Sequence, residues 1–312
     1  MDDHQIKSIV RQIYQKKLLR NIDEIELLYF FNEFKNNKLN ESSLISLLES
    51  SDEFKSINDL KQGFTMTNQG FQIFLDPEDQ IISRYLAIKK IWEPEETDFF
   101  NKSICEGMTV IDIGANIGYF TLLFSNLVGN SGKVIAFEPN PRSFKILNKN
   151  TQSNIIKNVT LFPNALGKFN HSTKLFLSKI NFGDNRISKK LIETTDLERK
   201  AIDVDVITLD DVLQNMSVDF LKIDAQGSEM NILQGAKNII KKNEQIKMVI
   251  EFWPIGLMAH DCQPIDFLTE LKSLKFNIYD FSDIKNEITI EQLCNKYTGK
   301  SYTNLFCVKN TN

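Results

Sequence analysis

The run Val110-Ile111-Asp112-Ile113-Gly114-Ala115-Asn116-Ile117-Gly118-Tyr119-Phe120 constrains this chain more than any other part of it. An apolar stretch ends in an acid, turns through small residues, and continues at helical spacing into Thr121-Leu122-Leu123-Phe124. That pattern predicts a strand, a tight glycine turn and a helix, whose N-terminal N–H groups face a bound nucleotide. A second apolar run, Val134-Ile135-Ala136-Phe137, ends in Glu138, 24 residues after Gly114. In a strand–helix–strand unit a carboxylate at that position lies over the ribose of an adenosine-bearing cofactor.

The glycine spacing separates the candidate cofactors. A dinucleotide site uses Gly-x-Gly-x-x-Gly, because the backbone must come close to a pyrophosphate. Here the spacing is Gly114-x-x-x-Gly118, with Asn116 in place of the middle glycine. Asp112 would repel a diphosphate and suits a ligand carrying an ammonium and a sulfonium. These residues favour S-adenosylmethionine over NAD or FAD.

Composition narrows the class. Hydrophobic residues make up 42% and charged residues 25% of 312, which is ordinary for a globular chain with a full core. The balance of 37 basic and 41 acidic residues lacks the basic footprint of a nucleic-acid binder. Phenylalanine is abundant at 23 residues, scattered at core spacing and read as packing. Cys105, Cys262, Cys294 and Cys307 form no Cys-x-x-Cys pair, so neither a metal site nor a disulfide framework is expected. The start Met1-Asp2-Asp3-His4 has no signal-like apolar region, and no apolar run approaches the about 18 residues of a membrane span. A cytoplasmic protein is expected.

Residues 1–58 are patterned as a small all-helical domain. Ile6, Ile9, Val10, Ile13 and Tyr14 form one stripe, and Ile25, Leu27, Leu28, Phe31 and Phe34 another. Asn40-Glu41-Ser42-Ser43 opens a third helix through Leu44, Leu47 and Leu48. A cap, or a surface for oligomerisation or a protein partner, is the expected role. Residues 59–312 read as the second domain, entered through a hairpin at 63–75. A helix at 95–105 precedes strands at 108–113, 133–138, 158–163, 218–224, 246–252, 275–281 and 304–309. Their alternation with helices predicts an α/β, doubly wound, Rossmann-like sheet of seven strands, closed by an antiparallel strand. The insertion at 168–208 is expected to be a substrate lid.

Four segments occur in an order that resembles the FkbM family of S-adenosylmethionine-dependent methyltransferases. They are Asp112 to Gly118, Phe137-Glu138-Pro139-Asn140-Pro141, Asn164-Ala165-Leu166-Gly167 and Asp219-Phe220-Leu221-Lys222-Ile223-Asp224. Trp92-Glu93-Pro94, Asn181-Phe182-Gly183, Leu209-Asp210-Asp211, Gly227, Glu229 and Leu233-Gln234-Gly235-Ala236 match as well. The resemblance spans residues 63 to 309 and implies a class I fold and O-methylation of sugar, glycan or polyketide hydroxyls. It also implies that Ala115, Pro139, Asn164 and Ala165 join Asp112, Gly114, Asn116, Gly118, Glu138 and Asp224 around the cofactor. One departure stands out: Asp224-Ala225-Gln226-Gly227 replaces the family's Asp-x-Glu-Gly, and an amide cannot usefully accept a proton. The N-terminal residues Tyr14, Leu18-Leu19-Arg20, Asp23 and Ser51-Asp52-Glu53-Phe54 resemble a helical module that recurs in bacterial glycan-linked and secreted proteins. The chain departs from that module at Leu19 and Ile22, where it has Gly and Pro.

Methyl transfer from a sulfonium is an in-line displacement, so positioning supplies most of the catalysis. A general base adds about 10²–10⁴-fold. Ligands in such sheets lie outside the carboxyl ends of the strands. Asp224 is therefore expected beside the transferred methyl, with Glu251 at the next strand end. Lys222, on the same strand face as Asp224, is expected to be paired and to orient the substrate. Glu229 is placed for catalysis or for capping its helix. Asn181, Gly183, Asp184, Asn185 and Arg186, with Gln226 and His260, are expected on the acceptor side. Arg186 or Arg84 would suit a phosphate or uronate. The expected reaction is O-methylation of a sugar hydroxyl in a glycan, glycolipid or nucleotide-linked precursor, with no metal. A non-catalytic scaffold that binds the cofactor is the alternative. A protein or nucleic-acid methyltransferase is disfavoured: no Asn/Asp-Pro-Pro-Tyr/Phe or Pro-Cys signature is present, and only Arg186–Lys190 and Arg199-Lys200 are basic.

Overall fold

The computed structural model describes residues 2–188 and 199–310, so 189–198 of the expected lid and part of the Arg186–Lys190 stretch lie outside the described residues. The chain divides into two compact units, Met1–Trp92 and Glu93–Asn312.

The first unit holds α1 (Asp3–Leu18), α2 (Glu24–Lys35), α3 (Glu41–Ser50), α4 (Asp52–Gln62), the hairpin β1 (Phe64–Met66) and β2 (Gln72–Phe74), and α5 (Ile82–Lys89). Asp2, Asp23, Asn40 and Ser51 each accept a first-turn N–H, which fixes where the first four helices begin. Most of the stripes expected from the sequence meet in one core that includes Val10, Tyr14, Leu27, Phe31, Leu44 and Leu48, whereas Ile25, Leu28 and Leu47 are exposed. The fourth helix was hidden because Ser51 ends α3 and caps α4 at once, leaving no polar gap between them.

The residues that carry the module resemblance lock the corner between α1 and α2. Leu19 adopts φ +54°, a left-handed conformation that explains a glycine at that place in the module. Arg84 donates to the Leu18 and Leu19 carbonyls at 2.7 and 3.0 Å, and Glu53 takes both Arg84 and Arg20. Arg20 lies 5.1 Å above the Tyr14 ring. The hairpin sits in this unit rather than with the chain that follows. Lys90 ties it there, joining Asp59 of α4 to Thr65 of β1.

The second unit starts with α6 (Pro94–Ser103), β3 (Thr109–Ile113), α7 (Tyr119–Val128), β4 (Lys133–Phe137), α8 (Pro141–Ser153) and β5 (Val159–Phe162). It continues through β6 (Ala165–Leu166), β7 (His171–Leu177), β8 (Lys200–Ile207), α9 (Leu209–Leu213), β9 (Phe220–Ile223), α10 (Glu229–Gln234) and α11 (Lys237–Lys242). It ends with β10 (Lys247–Phe252), α12 (Pro254–Ala259), α13 (Pro264–Ser273), β11 (Phe276–Asp280), β12 (Asp283–Glu287), α14 (Ile290–Lys296) and β13 (Thr303–Lys309).

The main sheet runs β12-β11-β13-β10-β9-β3-β4-β5. Its five strands from β10 to β5 are parallel, and β13 inserts antiparallel between β10 and β11. This is a doubly wound, Rossmann-like α/β sheet. All seven expected strands are present, and β12 adds an eighth at the edge. Every residue of β12 is exposed, so it carries no alternation that would reveal it. The described part of the insertion holds two strands: β7 and β8 form a small sheet with β6 over Leu175, Val204 and Val206. The phenylalanines are packing, as expected: Phe100 of α6 meets Phe124 of α7 at 4.9 Å and Phe220 of β9 at 5.7 Å, edge to face. This parallel arrangement brings the carboxyl ends of β3, β4, β9 and β10 to one sheet edge.

Candidate active site

The turn after β3 is forced by close backbone approach. Gly114 has φ +83°, and a Cβ there would lie 1.9 Å from the Asp224 carbonyl oxygen at the end of β9. Asn116 holds φ +49°, which asparagine tolerates better than most residues. Its side chain explains why it replaces a glycine: Oδ1 accepts the Ile117 N–H at 2.6 Å, and Nδ2 donates to the Phe182 carbonyl at 3.0 Å. Gly114 and Ala115 both donate to the Phe137 carbonyl at 3.0 Å, joining the turn to β4. Glu138 closes the joint, accepting N–H groups of Asn116 and Asn140, each at 2.8 Å. Burial pushes the Glu138 carboxyl up to about 7 despite these bonds. Pro139 and Asn164 are half-buried and Ala165 is buried, all near this edge.

Asp112 does not face the turn. It is fully buried, and one oxygen accepts the Thr121 hydroxyl of α7 at 2.6 Å. Its other oxygen has no hydrogen-bond partner among the described residues, and burial raises its pKa. Lys222 sits across from it in the β3–β9 register. Lys222 is buried too, with Nζ 3.6 Å from Asp224 and 4.9 Å from the Phe120 ring centre. Burial alone would lower its pKa, but Asp224, Asp112, Glu96 and Glu93 together hold it above the ordinary lysine value. The lysine that the sequence reading expected to be paired is the counter-charge of a whole acidic cluster.

At the ends of β9 and β10 the acids differ in access. The Asp224 side chain is 36% exposed, whereas Glu251 is buried. Burial, then Asp224 and Glu229, drive the Glu251 carboxyl well above the usual range. Gln226, at φ +51°, places its amide nitrogen 2.9 Å from Asp224 and 3.4 Å from both Glu251 oxygens. Glu229 accepts the Ala225 and Gly227 N–H groups at 3.0 and 3.1 Å, so it closes the Asp224–Gly227 turn, and burial pushes it to about 7. Gly227 is required there, since a Cβ would lie 2.5 Å from the Gly256 carbonyl oxygen.

The folded-state values near 7 for Glu138 and Glu229 lie above the ordinary 4.5. Between those pH values the unfolded chain has released protons that the folded chain still holds. Stability therefore falls as pH rises through about 4.5 to 7 and levels above it. Denaturant titrations at pH 5.5 and 8 should find the higher stability at 5.5. The difference should shrink in Glu229→Gln; an unchanged difference would contradict these assignments.

The acceptor-side residues expected from the sequence mostly build their own turn. Asn181 accepts the Gly183 N–H at 3.0 Å, while Asn185 accepts from Ser178 at 3.0 Å and donates to the Phe182 carbonyl at 2.8 Å. Asp184 takes both Arg186 and Arg199, and the Arg186 guanidinium lies 4.7 Å from the Trp253 ring centre. The turn thus reaches the glycine loop through Asn116 and the end of β10 through Trp253. Phe182 also lies under Arg142, 4.9 Å away. His260 is half-buried at the end of α12, beside Ala259, whose carbonyl accepts the Ser188 hydroxyl. Arg84 belongs to the first unit and is engaged there.

Sequence reasoning missed Glu93, Glu96 and Tyr302. Glu96 is buried, pushed up to about 6 by burial, and accepts a bond from the Asn304 amide. Burial, then Glu96, raises Glu93. Tyr302 is 64% exposed and lies within electrostatic reach of Glu251, Glu93, Asp224 and Glu96. Trp92-Glu93-Pro94 was a visible motif, but nothing local showed that Glu93 would join acids from three other elements. Among the described residues no cluster suited to a metal ion is present. Among the described residues no helix is long and apolar enough to cross a membrane.

Residues 112–276 match the family model described as the methyltransferase FkbM domain. No curated protein matches the chain. Among solved structures, methyltransferase FkbM from Methylobacillus flagellatus is 15% identical, covering 98% of this chain and 61% of that one at a TM-score of 0.41. A SAM-dependent methyltransferase from Aquifex aeolicus is 15% identical over 74% of this chain and 95% of its own, TM-score 0.40. A SAM-dependent O-methyltransferase from Thermotoga maritima is 15% identical over 80% and 78%, TM-score 0.40.

Proposed function

Because the chain belongs to the FkbM methyltransferase family, we propose that it transfers a methyl group from S-adenosylmethionine to a sugar hydroxyl of a glycan or glycolipid. The observation that carries this reading is the charge of the sheet edge. Glu138, Asp224, Glu251, Glu93 and Glu96 gather there, while Asp112 is buried against Thr121 and Lys222 is the counter-charge. Such a set fits an ammonium and a sulfonium and opposes a diphosphate. S-adenosylmethionine supplies an electrophilic methyl carbon, and loss of that carbon leaves a neutral thioether. In this reading Glu138 accepts the ribose hydroxyls, the Gly114–Gly118 loop cradles the nucleoside, and Asp224 faces the acceptor.

The same charges disfavour a nucleotide-linked acceptor, since Arg186 and Arg84, the side chains suited to a phosphate, are already engaged. Incubation with methyl-labelled S-adenosylmethionine and parallel sets of neutral glycans, glycolipids and sugar nucleotides tests the proposal. Label should enter a neutral acceptor. Tight cofactor binding with no transfer to any acceptor would favour the non-catalytic scaffold.

Cofactor affinity should also depend on pH. Ribose hydroxyls bind best to an ionised Glu138, whose carboxyl titrates at about 7. Affinity for S-adenosylhomocysteine should rise as pH increases through about 7 in the native chain. In Glu138→Gln it should be about 10–100-fold weaker and nearly flat with pH.

A further inference from the structure

We propose that Gln226 is a positioning residue whose side-chain amide clamps Asp224 and Glu251 from between, holding the two side chains in one fixed arrangement facing the acceptor. Its role toward the acceptor rests on the methyl-transfer reading; the clamp itself does not. The geometry is specific. The amide nitrogen lies 2.9 Å from Asp224 Oδ1 and 3.4 Å from each Glu251 oxygen. Left-handed backbone at residue 226, φ +51°, turns the side chain back toward the strand ends. Gly227 and Glu229 fix that backbone, the first by its approach to Gly256 and the second by accepting two turn N–H groups.

A glutamate in this place would set a third carboxylate between two others at hydrogen-bond distance. Like charges so close cannot all ionise, and the group would hold a shared proton. An amide has two N–H donors and no charge, so it links the carboxylates without adding to their repulsion. The departure from the family's Asp-x-Glu-Gly is thus a replacement of a titrating link by a fixed one. The other groups that bear on the pair are Lys222 of β9, Glu229 of α10, Glu93 and Glu96 at α6, and Tyr302 before β13. They are unchanged by a substitution at residue 226, so a shift there reports on the clamp.

Carboxyl carbon NMR titration of Glu251 in the full chain tests this without an acceptor. In Gln226→Glu the Glu251 midpoint should rise by on the order of one pH unit or more, with a third group titrating in step. In Gln226→Met, which removes the donor and adds no charge, the Glu251 midpoint should rise by a smaller amount. Gln226→Asn suits the left-handed backbone and guards against misfolding of the others; its shorter amide should keep Asp224 and release Glu251. Midpoints that stay within about 0.2 pH unit of the native chain in folded Met and Asn variants would overturn the clamp. Calorimetry with S-adenosylmethionine on the same samples separates the two ideas: absent binding would sink the methyl-transfer reading and leave the clamp standing or falling on its titration.

Discussion

Lys222→Met is expected to destabilise the protein by about 3–5 kcal/mol, the usual cost of removing one partner from a buried charge group. Lys222 offsets Asp112, Asp224, Glu96 and Glu93 from inside β9, where it is 4% exposed. Without it, Asp112 keeps one hydroxyl partner and one bare oxygen in the core. Methionine matches the length of the lysine stem, so the loss reports charge rather than a cavity. Adding Asp112→Asn should recover part of the loss, because the two residues face each other across β3 and β9. Chemical denaturation of the native chain, both single variants and the double variant gives the coupling. Purely additive effects would mean that the pair does not interact.

Gly114→Ala should be nearly as costly and should also remove cofactor binding. The new methyl would meet the Asp224 carbonyl oxygen at 1.9 Å, and both partners are backbone at strand ends. The positive φ adds about 1–2 kcal/mol for an L side chain, and overpacking about 1–3 more. Relief requires β3 and β9 to separate, which moves Asp224 away from the glycine loop. Denaturation and calorimetry with S-adenosylhomocysteine should therefore report stability and affinity falling together. Lost affinity at unchanged stability would show that the loop had simply reshaped.

The parts of this fold that were most legible in the sequence are the strands whose two faces are both buried. β3, β4, β9 and β10 are largely apolar runs with an acid at or next to their ends, broken in β9 by Lys222, so their positions and the order of Asp112, Glu138, Asp224 and Glu251 could be read directly. Half-exposed elements were legible only where they alternate, as in β11 and β13. The polar His171-Ser172-Thr173-Lys174 start of β7 looks like loop, and only its pairing with β8 makes it a strand. The site divides in the same way. Residues next to the glycine turn carry local signals, whereas Glu93, Glu96 and Tyr302 come together only through the sheet. Asn185 and Arg186 have the right chemistry for a sugar, but their neighbours in the folded turn use that chemistry first.

The central claim is that this sheet edge holds S-adenosylmethionine and not a dinucleotide. Calorimetric titration of the full chain at pH 8 with S-adenosylmethionine, and separately with NAD, tests it most directly. The account predicts saturable binding of one S-adenosylmethionine per chain and no heat from NAD. Equal binding of both, or no binding of S-adenosylmethionine at millimolar concentration, would contradict it.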